Sequence, residues 1–164
     1  MNIVAISDIY SDMNVIQEFI QFINQPLDVI ILAGDTGIRT TSAHYEQDIN
    51  KILTLLSKIS KQVFFVSGDS DAKEFKIALP NVKNLDRQSY VIDDGELKIG
   101  LLGLGGAPTH SVRSMDLSPY LWDENVPIVK ESLMMELKNT NRKNSSSRSR
   151  LYNISYTLST LRNS

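Results

Sequence analysis

Four aspartates, Asp8, Asp35, Asp69 and Asp71, each follow closely on a short apolar run. Ligands of a parallel sheet bind beyond the carboxyl ends of its strands, so three successive runs that deliver acids to one rim place negative charges close together. Crowded carboxylates repel one another and resist ionisation unless a cation sits between them. Oxygen ligands of this kind suit hard divalent ions, magnesium or manganese above all. Aspartate is also a common turn residue, because its side chain bonds the local backbone. Spacing alone therefore leaves two readings open, a cation site and a set of polar loop aspartates.

The elements that must position these acids alternate. Asn2 to Ile6 is a β-branched apolar run ending in the polar stretch Ser7 to Asp12, which reads as a buried strand followed by a loop. Asp12 can cap a following helix, in which Val15, Ile16, Phe19, Ile20 and Ile23 recur at helical spacing before Pro26. A second strand, Val29 to Ala33, ends in Gly34-Asp35. A helix follows from about Ala43, with Ile49, Ile52, Leu53, Leu56 and Ile59 on one side. A third strand, Val63 to Val66, ends in Gly68-Asp69 and leads to a short helix around Phe75 and Leu79. Three strand-helix units in succession predict an α/β fold with a mixed, mainly parallel sheet flanked by helices. Ser89 to Ile92 and Leu97 to Leu104 then flank Asp93-Asp94-Gly95-Glu96, a hairpin signal, and the hairpin is expected to join the sheet in antiparallel fashion. Gly105 to Pro127 reads as irregular and Val126 to Leu137 as helical.

Gly34 and Gly68 allow the tight turns that aim Asp35 and Asp69 into the rim. The stretches SDIYSD, AGDTG and SGDSD, in this order, resemble the opening blocks of the calcineurin-like metallophosphoesterases, which read D-x-H, G-D and G-N-H-D/E. The resemblance covers about residues 1–140 and includes the later GLGG stretch, Gly103 to Gly106. It implies an αββα sandwich with two metal ions at the strand ends, a small phosphorylated substrate, and hydrolysis of a phosphomonoester or phosphodiester by a metal-activated water. Carried over by position, Asp8 would bind the first ion, Asp35 would bridge both, and Asp69 would stand in for the asparagine on the second. Asp71 would match the acid that orients a catalytic histidine. Two departures matter. Tyr10 replaces a metal-binding histidine, and a phenol with a pKa near ~10 is a poor ligand at neutral pH. Ser70 replaces the histidine that protonates the leaving group, a loss of ~10²- to 10⁴-fold in rate. A carboxylate-rich, histidine-poor site implies manganese or magnesium rather than iron or zinc. The alternative is a member of the same fold that has lost catalysis and binds a ligand or partner.

His110, in GAPTHS, is a candidate for contact with substrate or metal; His44 is the other histidine and reads as a solvated loop residue. Gly103 to Pro108 resembles a dinucleotide-binding loop only superficially, since Pro108 and the missing helix start argue against it. Met134 and Met135 read as packing residues, and Trp122 and Tyr120 as parts of a packed loop. A receiver domain would need paired acids after the first strand, where Asp8 has Ile9 beside it. A haloacid-dehalogenase-type phosphatase would need D-x-D there.

The chain has 164 residues, 41% apolar and 22% charged, which suits one globular domain. Its net charge of −2 averages two unlike parts. Residues 1–138, the expected domain, hold all 19 acids and 12 bases, a balance of −7, whereas residues 139–164 hold five bases and no acid. The latter segment, which opens with NTNRKNSSSRSR, reads as a disordered basic tail; five bases with little aromatic content argue against nucleic-acid binding. The family's closing histidines are not found after Leu137. Read one base later with suitable synonymous codons, the segment gives an apolar strand and a histidine-containing loop, so an incomplete, frameshifted C-terminus is expected. With no cysteine, disulfides and thiolate sites are excluded. No apolar run reaches bilayer length and MNIVAISD lacks a signal-peptide pattern, so no membrane contact and a cytoplasmic setting are expected; the pattern does not specify an oligomeric state.

Overall fold

A computed structural model describes residues 1–38, 44–72, 76–95, 98–108 and 121–122. Four strands, β1 (Ile3–Ile6), β2 (Leu27–Ala33), β3 (Ser60–Val66) and β4 (Val82–Asn84), form a parallel sheet in the order β1-β2-β3-β4. Helices α1 (Met13–Phe22) and α2 (Tyr45–Ile59) connect the first three strands. The α/β class expected from the alternating pattern is thus observed.

Alternation within the strands sends side chains to both faces of the sheet. Ile30, Leu32, Val63 and Phe65 face the helices and pack with Ile16, Ile49, Ile52, Leu53 and Leu56. Val29 and Phe64 face the other way, where Leu85, Ile99 and Leu101 cover them. Ile99 and Leu101 belong to an antiparallel hairpin, β5 (Ser89–Asp93) and β6 (Lys98–Leu102), with Gly95 in the turn at φ 88°. The hairpin is where expected, but it does not extend the sheet as a strand. It forms its own two-stranded sheet, linked to the strand layer by the bridge Asp86–Gly103 and by apolar contact. The second face of β2 and β3 would otherwise expose Val29 and Phe64, and the apolar side of the hairpin buries them.

Asp12 caps α1 as expected, its Oδ1 accepting from the amides of Asn14 (2.9 Å) and Val15 (3.2 Å). Val15 departs from the expected buried stripe and is 48% exposed, because Ile16, Phe19, Ile20 and Ile23 already fill the side facing the core. The cap of α2, His44, makes no side-chain cap bond; Glu46 and Asp48 place negative charge in the first turn, where the helix dipole favours it. The short helix expected around Leu79 is absent over residues 76–79. Leu79 precedes Pro80, whose ring disfavours the helical region for the residue before it. The following strand, β4, has no counterpart among the expected elements: its three residues offer one buried apolar side chain, Val82, too little for periodicity to register.

Within Gly105 to Pro127, two-residue strands β7 (Ala107–Pro108) and β8 (Leu121–Trp122) pair in parallel. The helix expected over Val126 to Leu137, with Met134 and Met135, lies outside the described residues, as do Ala43, Phe75, His110, Tyr120 and the segment 139–164. Among the described residues, no helix is long and apolar enough to cross a membrane.

Candidate functional site

The loops after β1 and β2 run side by side because backbone pairing continues past the strands. The amide of Asp8 donates to the carbonyl of Gly34 (3.3 Å), Tyr10 to Asp35 (3.0 Å) and Ser11 to Thr36 (2.9 Å). Ile9 is buried and anchors the first loop in the core. Asp8, Tyr10, Ser11 and Asp35 all adopt left-handed backbone conformations, with φ of 58°, 51°, 61° and 47°. Each costs roughly 1–2 kcal/mol for an ordinary L-residue and less for aspartate, and such residues concentrate where function demands a particular geometry.

This arrangement brings three side chains together. The Tyr10 hydroxyl donates toward Asp8 Oδ1 at 3.1 Å and Asp35 Oδ2 at 3.0 Å. The other oxygen of Asp35, Oδ1, accepts from the Ser70 amide at 3.1 Å. Asp35 has room only because residue 68 is glycine: a Cβ there would overlap Asp35 Oδ1 and the Asp35 amide nitrogen. Gly34 is constrained differently: its φ of 85° lies in the left-handed region, and a Cβ on it would make a tight 3.1 Å contact with the Gly68 Cα. Burial pushes the Asp35 carboxyl above its usual pKa. The Ser70 amide opposes the shift most, the charge of Asp69 adds to it, the Tyr10 hydroxyl opposes it and the charge of Asp71 adds again. The Tyr10 phenol is raised by burial first and then by the charge of Asp35, and so stays protonated across the physiological range.

Asp71 stands apart from this trio. Its side chain is 1% exposed and both oxygens are fully engaged. Oδ1 accepts from the Gly37 amide (2.7 Å) and the Tyr45 hydroxyl (3.1 Å); Oδ2 accepts from the amides of Thr36 (3.1 Å) and Gly68 (2.9 Å). Burial raises its pKa against the pull of these four donors. Asp71 thus works as a clasp between the loops after β2 and β3. Asp69 is brought near Asp35 as a charge, Ser70 reaches Asp35 through its backbone amide, and His110 lies outside the described residues. Tyr45 is the participant that periodicity passed over. It begins α2, and as a buried aromatic with a polar tip it needs a partner, which is the one available signal.

The fit to a cation rests on these oxygens. Among the described residues, no three His, Cys, Asp or Glu side chains converge as a metal nest. Two carboxylates and a phenol do converge. Magnesium is commonly held by one or two carboxylates, with water and substrate phosphate completing its shell. Two carboxylates are the kind of donor that a hard cation takes.

No protein-family model matches this chain, and no curated protein matches it.

Proposed function

We propose that the protein is a divergent metal-dependent phosphoesterase, cytoplasmic and αββα in architecture, acting on a small phosphomonoester or phosphodiester. The observation that carries this reading is the convergence of Asp8 Oδ1 and Asp35 Oδ2 on the Tyr10 hydroxyl, at the rim where loops follow parallel strands. Asp8 and Asp35 would hold a magnesium or manganese ion, which when bound lowers the pKa of its water and offsets phosphate charge. A second ion, shared by Asp35 and held by Asp69, belongs to the same reading, and the stoichiometry of manganese binding tests it. The chain's own residues do the positioning. The Ser70 amide fixes one oxygen of Asp35 and leaves the other directed to the shared point. Asp71 holds the two loops in register. With serine at position 70, no imidazole there protonates the leaving group, so esters with good leaving groups are the favoured substrates and turnover is slow.

A second reading, a ligand-binding protein without turnover, is favoured by one observation: the Tyr10 hydroxyl already stands between the two carboxylates and shares its one proton with an oxygen of each. Hydrolysis of an aryl phosphate and an aryl phosphodiester, measured with and without manganese, separates the two. Manganese-stimulated turnover that Asp35→Asn abolishes supports the enzyme. Tight manganese binding without turnover supports the binding protein, and no response to any divalent ion counts against both.

A further inference from the structure

We infer that Tyr45 is a positioning residue for the Asp8–Asp35 site, acting through Asp71; this rests on the cation-binding reading above. Tyr45 touches neither carboxylate of the trio. Its hydroxyl donates to Asp71 Oδ1 at 3.1 Å and accepts from the Ala72 amide at 2.7 Å, so one oxygen links the acid to the backbone just beyond it. Its ring lies against residue 37, where a Cβ would stand 2.7 Å from a ring carbon, and beside that contact the Gly37 amide donates to Asp71 Oδ1 at 2.7 Å. Asp71 in turn binds the amides of Thr36, Gly37 and Gly68. Two of these residues directly follow Asp35, and the third is the glycine on which the Asp35 carboxylate rests. The start of α2 is therefore tied, through one hydroxyl and one carboxylate, to both loops that set the position of Asp35. Groups that orient a metal ligand from behind commonly alter metal affinity ~10- to 100-fold when removed.

Tyr45→Phe keeps the buried ring and deletes only the hydroxyl. Manganese affinity of the full chain, by calorimetry, is expected to fall about tenfold, and the electron paramagnetic resonance line shape of the bound ion is expected to broaden. Ile52→Val, a core substitution on the same helix, serves as the control: it lowers thermal stability with manganese affinity unchanged. If wild type binds manganese and Tyr45→Phe binds it equally well, the positioning role is overturned and the cation site stands. If wild type itself fails to bind, the cation reading falls and the inference with it. Should Tyr45→Phe not fold, hydrogen exchange of the wild type decides. Coupling is reciprocal, so saturating manganese must slow exchange at the Thr36, Gly37, Gly68 and Ala72 amides, and unchanged exchange there overturns the role.

Discussion

Gly68 lies directly against the carboxylate of Asp35, so that a single methyl group at position 68 would occupy the space of Asp35 Oδ1 and of its own backbone amide. The obstacle includes backbone, which cannot swing aside as a side-chain tip can. Gly68→Ala is therefore expected to cost roughly 1–3 kcal/mol in urea denaturation and to weaken manganese binding about tenfold or more. A variant with wild-type stability and affinity would show that the loop after β3 moves freely, contrary to the close contact described.

Asp35→Asn separates the charge of this residue from its shape. Burial raises the Asp35 pKa above 3.8 in the folded state, so the ionised form is disfavoured by folding. For an acid with a raised folded pKa, the cost is fully present at neutral pH and is relieved as pH falls through the folded value toward 3.8. The variant is expected to bind no manganese, yet to be at least as stable as wild type at pH 7, its margin narrowing on acidification to about pH 4. Urea midpoints of both proteins across this range provide the measurement; a margin that widens toward acid pH would reverse the sign and contradict the effect of burial.

Tyr10→His tests whether the phenol limits the site. A protonated phenol binds a cation weakly, whereas a neutral imidazole nitrogen is a strong ligand. Manganese affinity of the variant is expected to exceed that of wild type several-fold at pH 8, and to decline below about pH 6.5 as the imidazole protonates. Equal affinities at pH 8 would mean that Tyr10 does not occupy a ligand position.

Asp12→Ala removes the cap of α1 and leaves the trio untouched. The expected loss is about 1 kcal/mol of stability, within the ~0.5–2 kcal/mol found for such caps, with manganese binding unchanged. Thermal denaturation and calorimetry together check this, and a loss of binding would place α1 in closer communication with the site than its contacts indicate.

The elements legible in the sequence are those whose cause is local. Apolar runs at β1, β2 and β3 and helical spacing over α1 and α2 mark the parallel α/β sheet, Asp12 announces its own helix, and Asp-Gly announces the hairpin. The acids also declare themselves, because each follows an apolar run. Other features were not legible. The strand β4 is too short to carry a pattern, the exposure of Val15 depends on which part of α1 the sheet leaves uncovered, and the hairpin could have extended the sheet or covered it. The last was decided by which apolar surface remained open.

Sequence alone determined the kinds of group available at the rim: carboxylates at positions 8, 35, 69 and 71, a phenol at 10 and glycines at 34 and 68. Local propensity also placed them after strands. The tertiary structure alone decided how these similar acids divide. Asp8 and Asp35 meet at the Tyr10 hydroxyl, Asp69 contributes charge nearby, and Asp71, two residues on, is buried and satisfied by four donors. The division is physical in origin. A carboxylate sealed from water persists only where donors converge on it, and those donors come from Thr36, Gly37, Tyr45 and Gly68, which only the folded chain assembles.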